Sequence, residues 1–214
     1  KGERYHEPML GSGSMFFRLK ETGFINTRKK SFLSDINEIT IETMKIVSSK
    51  SLLLELIGIL NKLQESYPLD LPHPNPRNQT KERREKRMFY SKRTRLNELS
   101  KSIESLSEIE LTELASIAIF LNKTCFNGLW RMNASGGFNT PEGSYTFPKN
   151  ICQKEILSSC NEYLSDSLLK VQDWKISLSS AKKGDLVYID PPYLPLQIGG
   201  STFTDYYSNS YHNG

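Results

Sequence analysis

From Arg4 to Ser34 the chain reads as strand, glycine turn, helix and strand: Arg4 to Met9, then Gly11-Ser12-Gly13, then an apolar stretch from Met15 to Leu19, then Ser31 to Ser34. That order is a βαβ unit, and it constrains everything after it. Strands joined through a helix run parallel, and a parallel sheet needs helices over its faces. The remainder supplies them. Helices are predicted over Glu38 to Val47 and Leu52 to Gln64, the second with Leu52, Leu53, Leu56, Ile57, Leu60 and Leu63 at helical spacing. Tyr67 to Gln79 holds four prolines without apolar periodicity and reads as a connector. A basic helix through Met88, Phe89, Leu96 and Leu99 follows, then a helix over Ile109 to Asn122. Cys125 to Pro148, dense in Asn, Gly, Thr and aromatic residues, reads as a structured binding loop. Alternation resumes with a helix near Gln153 to Tyr163, a strand Ser167 to Val171, a short helix Lys175 to Ala181 and a strand Asp185 to Asp190. The fold class is α/β, without internal repeats.

Charge is spread unevenly over this framework. The 214 residues carry 28 Lys and Arg against 24 Asp and Glu, a formal charge of only +4. Between Arg77 and Arg95 nine basic residues stand against two acidic ones, a local +7 that leaves the rest of the chain at −3. Such asymmetry points to a nucleic-acid or membrane-surface contact, with a solvated helix face as the plainer alternative. A hydrophobic share of 37% and a mean hydropathy of −0.49 belong to a globular domain and exclude a disordered tail. No membrane span is expected, because the longest apolar run, Leu52 to Leu60, is interrupted by Glu55 and Gly58. Cys125, Cys152 and Cys160 lack metal-ligand spacing, so reduced thiols in a cytosolic protein are expected. His6, His73 and His212 stand alone in the sequence and are expected at the surface; no metal site is predicted.

Three places carry chemistry. In Glu7-Pro8-Met9-Leu10-Gly11-Ser12-Gly13 a strand ends in two glycines and a helix follows, so backbone can approach a ligand beside free helix N–H groups. About 20 residues further on the next strand delivers Asp35, the position from which doubly wound folds bind a ribose hydroxyl pair; a helix N-cap is the alternative for this residue. The third is Leu186-Val187-Tyr188-Ile189-Asp190-Pro191-Pro192-Tyr193. An apolar strand delivers an acid, and two prolines then forbid continuation as strand or helix. Asp190 and the proline carbonyls can accept two hydrogen bonds from an exocyclic amino group while Tyr193 stacks on the same ring. Those groups suit a flat amine.

Asp-Pro-Pro-Tyr at a strand end, the glycine turn and Ser34-Asp35-Ile36-Asn37 together resemble the amino-methyltransferases that use S-adenosylmethionine, specifically the Dam-like, D12 class DNA adenine-N6 methyltransferases. The passage Leu121 to Asn133, with Gly137 to Tyr145, is similar to that family's target-recognition hairpin, and Phe89-Tyr90 through Arg93 to Asn97 fits its helical recognition lobe. The resemblance implies a Rossmann-like sheet holding about half of the family's strands, with an inserted helical lobe. The catalytic domain would comprise residues 1–66 and 150–214, and the lobe residues 67–149. It also implies an incomplete gene product, with the Asp190 strand left as a sheet edge.

By the same resemblance Glu7, Pro8, Gly11, Gly13 and Asp35 bind S-adenosylmethionine, Asp173 contacts its adenine, and Asp190, Pro191, Pro192 and Tyr193 form the catalytic corner, with Asp190 between cofactor and target base. Phe126 and Asn127 enter the stack of double-stranded DNA beside an extruded adenine. Arg93, Leu129, Arg131, Pro141 and Tyr145 also contact DNA, with Leu129, Arg131 and Pro141 near base edges; an Arg forked onto guanine is the commonest specific contact. Ser144 stands where the family often has a basic residue, which weakens transfer of its default GATC-like site. The implied protein is a monomer on DNA in a prokaryotic or phage-infected cytoplasm, associated with the nucleoid when bound. A non-catalytic DNA-binding remnant is the competing reading; cytosine N4 as target fits less well, since those enzymes usually carry Ser before the prolines.

Overall fold

The computed structural model describes residues 4–25, 30–67, 87–143 and 150–191. Its sheet has four parallel strands: β1 Tyr5–Glu7, β2 Ser31–Asp35, β3 Ser167–Val171 and β4 Leu186–Val187. They lie in the order β3-β2-β1-β4. Tyr5 pairs with Ser31 on one side and Leu186 on the other, and Asp35 pairs with Val171 at the far end of β2. The chain steps outward from β1 to β2 to β3, then returns to the opposite side of β1. That reversal makes a switch point between β1 and β4, where open α/β sheets bind ligands beyond their carboxyl ends.

β1 stops at Glu7 rather than Met9 because Pro8 has no N–H for the ladder. β4 is shorter than the expected Asp185 to Asp190, although Tyr188 still donates its N–H to the His6 carbonyl. Among the described residues β3 and β4 are the sheet edges.

The helices are α1 Ser14–Glu21, α2 Glu38–Ser48, α3 Lys50–Ser66, α4 Met88–Leu99, α5 Glu108–Thr124, α6 Lys154–Leu164 and α7 Trp174–Leu178. Their starts are written locally. Asn37 accepts a hydrogen bond from the Thr40 N–H at the head of α2, and Ser107 and Glu110 close a capping box on α5. α5 is the pivot of the packing: Leu114, Ala115, Ile117, Ala118 and Leu121 are buried on it, and it packs against α2, α3 and α4. Sheet and helices share one hydrophobic core, with Phe16, Leu33, Ile41, Leu56, Leu60, Phe89, Leu96 and Phe120 fully enclosed.

One expectation is corrected here. His6 is not at the surface but 1% exposed, because it sits mid-strand in the inner strand of a parallel sheet covered on both faces. Its ring stacks on Phe32 with centroids 4.7 Å apart, and Nε2 lies 3.1 Å from Asp185 Oδ2. Asp185 also accepts from Arg4 and from the Lys182 N–H. These contacts tie the start of β4 to β1. His73 and His212 lie outside the described residues.

Candidate active site

The four strands end on one edge, and the candidate cofactor and catalytic residues are the loops leaving it. After β1 the chain turns tightly, with Gly13 N–H donating to the Leu10 carbonyl at 2.7 Å. Gly11 and Gly13 adopt φ of +49° and +69°, in the left-handed region. A Cβ at Gly11 would meet nothing within 4 Å, whereas one at Gly13 would come within 3.1 Å of the Phe17 ring. Gly11 therefore keeps an open approach, and Gly13 keeps α1 packed against the turn.

Asp35, at the end of β2, joins this turn directly. Its Oδ2 accepts the Gly11 N–H at 2.8 Å and its Oδ1 accepts the Asn37 N–H at 2.9 Å. The N-cap alternative fails, since Asn37 rather than Asp35 caps α2. Asp173 is exposed at the end of β3 and caps α7 by accepting the Lys175 N–H at 2.8 Å. Gln172 beside it donates its N–H to the Asp35 carbonyl, so the two acids leave neighbouring strand ends. Asp190 and Pro191 follow β4 and are exposed; Pro192 and Tyr193 lie outside the described residues.

Glu7 is the unusual member. It is 2% exposed, and its Oε2 accepts the Tyr5 hydroxyl at 2.6 Å. Burial raises its carboxyl to about 7, and the negative charge of Asp190 adds to the rise against hydrogen bonds from Tyr5 and from the Phe16 backbone. Near neutral pH Glu7 is therefore poised between its charged and neutral forms. Among the described residues no three His, Cys, Asp or Glu side chains converge as a metal site.

The recognition passage forms a hairpin. Met132 bridges Phe138 in antiparallel fashion, Asn133 N–H donates to the Gly137 carbonyl and Asn139 N–H to the Arg131 carbonyl. Asn97 on α4 grips its return arm, donating Nδ2–H to the Phe138 carbonyl at 3.1 Å and accepting the Phe138 N–H at 2.8 Å. At its base a 3₁₀ turn, Phe126–Gly128, projects Phe126 with 48% of its surface exposed and Asn127 at φ +53°. Leu129, Arg131 and Pro141 are exposed as well, Arg131 donating Nε–H to Asn139 Oδ1. Arg93 lies on the Tyr90 ring at 4.8 Å. Tyr145 and Ser144 lie outside the described residues.

Two charges of the basic run between Arg77 and Arg95 are turned to partners within the protein. Arg87 forks onto buried Glu142, with Nε to Oε2 at 2.6 Å and Nη2 to Oε1 at 2.9 Å, and Arg95 pairs with Glu113 at 2.7 Å. Both charges have acidic partners among the described residues. Arg77 to Lys86 lie outside the described residues.

A parallel sheet whose strand order reverses at β1, with a glycine turn and acidic loops on its carboxyl edge, defines an open α/β domain, a class that binds ligands at such switch points. The chain belongs to the D12 class N6 adenine-specific DNA methyltransferases, the family that matches it over residues 1–213. It is 30% identical over 208 residues to the type II methyltransferase M1.LlaDCHI of Lactococcus lactis subsp. cremoris, covering 96% of this chain and 62% of that protein. It is 32% identical over 205 residues to the type II methyltransferase M.MjaIII of Methanocaldococcus jannaschii, covering 95% of this chain and 63% of that protein. The DNA adenine methylase of Escherichia coli K12 is 28% identical over 211 residues, 99% of this chain and 63% of its own length. The chain thus spans a little over three fifths of the length of these relatives.

Proposed function

We propose that the protein transfers a methyl group from S-adenosylmethionine to N6 of an adenine flipped out of duplex DNA. The observation carrying this reading is the convergence on one sheet edge of the glycine turn, Asp35 and Asp190 on either side of the β1–β4 switch point. The residues fit such a cofactor. Gly11 leaves room for close backbone approach, Asp35 keeps an acceptor within reach of ribose hydroxyls, and Glu7, Asp173 and Asp190 give the edge a negative character suited to a ligand bearing ammonium and sulfonium charges. When bound, the cofactor supplies an electrophilic methyl group.

Everything else falls to the chain. Asp190 and the Pro191 carbonyl accept the two hydrogens of N6, which draws its lone pair out of conjugation with the ring. Because both acceptors belong to a proline-fixed corner, no reorganisation is needed as charge develops. Asp190 then takes the proton that N6 must lose. Extruding the base costs a few kcal/mol of stacking. Phe126, half exposed at the hairpin base, offers a ring to fill the gap, and Asn127 and Arg131 offer polar groups at base edges. Residues 67–149 act as the recognition lobe on the catalytic domain of residues 1–66 and 150–214, and the protein works as a monomer in the DNA-containing cytoplasm.

The test incubates the protein, at its full genomic length, with labelled S-adenosylmethionine and duplex DNA. Label recovered as N6-methyladenine is the expected result, and Asp190→Asn should abolish it while leaving cofactor binding measurable by calorimetry. DNA binding without cofactor binding or label would instead identify a non-catalytic DNA-binding remnant.

A further inference from the structure

We infer that Glu142 is a positioning residue: through a buried clamp with Arg87 and Tyr67 it holds the base-extruding turn at the foot of the recognition hairpin in register with the helical body. The inference rests on the reading of the chain as a DNA methyltransferase. Glu142 is a carboxylate only 5% exposed, next to the exposed Pro141. Both of its oxygens are directed inward, accepting from Nε and Nη2 of the Arg87 fork and from the Tyr67 hydroxyl at 2.6 Å. Tyr67 lies just past the end of α3 and Arg87 just before α4, so one carboxylate joins two helices and the hairpin.

The backbone around Glu142 is the other half of the device. Phe126 N–H donates to the Pro141 carbonyl at 2.9 Å, Gly143 N–H donates to the Thr124 carbonyl at 2.8 Å, and Cys125 bridges Glu142 between them. The residues on either side of Glu142 are therefore bonded to the residues that launch Phe126 and Asn127. A shift of the backbone at Glu142 is therefore passed to this turn. The turn needs outside support, since Phe126 is half exposed and Asn127 holds a left-handed conformation.

Stability alone does not account for the arrangement. A buried ion pair is no better for stability than well-packed apolar residues of the same size, but it specifies one geometry where apolar contacts would slide. A displacement of about 1 Å at a positioning group can lower turnover a hundredfold.

The experiment compares the wild type, Glu142→Gln, and the apolar replacement Tyr67→Phe/Arg87→Met/Glu142→Leu. Base extrusion is read from the fluorescence of 2-aminopurine at the target adenine, transfer from kcat and KM for DNA, and cofactor affinity from calorimetry. Glu142→Gln should lower kcat/KM for DNA by about tenfold to a hundredfold and blunt the fluorescence rise at saturating DNA, with cofactor affinity unchanged. The apolar replacement should regain thermal stability but keep the extrusion defect. Recovery of extrusion together with stability would reduce the clamp to a structural role and overturn the inference, as would a Glu142→Gln variant that extrudes like the wild type. A wild type that binds DNA but methylates no adenine brings down the functional reading itself.

Discussion

Glu7 sits where two demands collide. A carboxylate beneath the glycine turn suits a cationic ligand, yet burial disfavours the charge and lifts its pKa from 4.5 to about 7. The folded chain therefore holds a proton between those values that the unfolded chain has released, so stability from this group is present at low pH and is lost as pH rises through about 7. Glu7→Gln removes that loss. Denaturant titrations at pH 5.5 and pH 8.5 should show the variant gaining on the wild type by on the order of 2 kcal/mol more at the higher pH. His6 works with the opposite sign: burial lowers its pKa, so its contribution is lost as pH falls through the histidine range. The acid limb should persist in Glu7→Gln.

The two glycines of the turn should separate under the same substitution. Gly11→Ala places a Cβ in open space at φ +49°, costing about 1 kcal/mol of backbone strain, and its larger effect should fall on cofactor affinity. Gly13→Ala must in addition displace the Phe17 ring, so its cost should reach about 2–3 kcal/mol. Thermal melts and calorimetric titrations of the pair should rank them in opposite orders.

Elements and their order were legible in the sequence because their signals are local. The leucines of α3 repeat at helical spacing, Asn37 and Ser107 stand at helix starts, and β2 and β3 fall at the residues their patterns predict. Asp35 and Asp190 were legible as site candidates for the same reason, each being an acid at a strand end. What stayed hidden is pairing across the chain: His6 with Asp185, 179 residues apart, Arg87 with Glu142, 55 apart, and Asn97 with Phe138, 41 apart. No periodicity records such contacts, and each turned an apparently exposed residue into a buried one or an apparently spare charge into a spent one. A carboxylate inside a turn-rich passage, as at Glu142, is the nearest thing to a signal.

Asn97 gives the element scale its own prediction. Its amide adds two rungs to a hairpin whose described arms are joined by two isolated bridged pairs, Cys125 with Glu142 and Met132 with Phe138, and Phe138 is 1% exposed. Asn97→Ala leaves a buried N–H and carbonyl without partners, a loss of about 2–4 kcal/mol concentrated in one element. Hydrogen exchange should accelerate at the Asn133, Phe138 and Asn139 amides and remain slow in β1 and β2. Acceleration throughout the sheet would mean that hairpin and sheet open as one unit.

For the whole molecule, the decisive quantity is how much of the local +7 is available to DNA. Nine basic residues lie between Arg77 and Arg95, but Arg87 and Arg95 are held by Glu142 and Glu113, leaving seven at most for phosphates. Each phosphate neutralised contributes about 0.9 to the fall of log affinity with log salt, so this run can supply a slope no steeper than about −6. Two substitutions test the partition. Lys92→Gln should make the slope shallower by about 1, whereas Arg95→Gln should leave it unchanged, because the charge removed already has its partner on α5. A shallower slope for Arg95→Gln would show that the Glu113 pair opens when DNA binds. The lobe would then change its internal pairing on the duplex rather than meet it preformed.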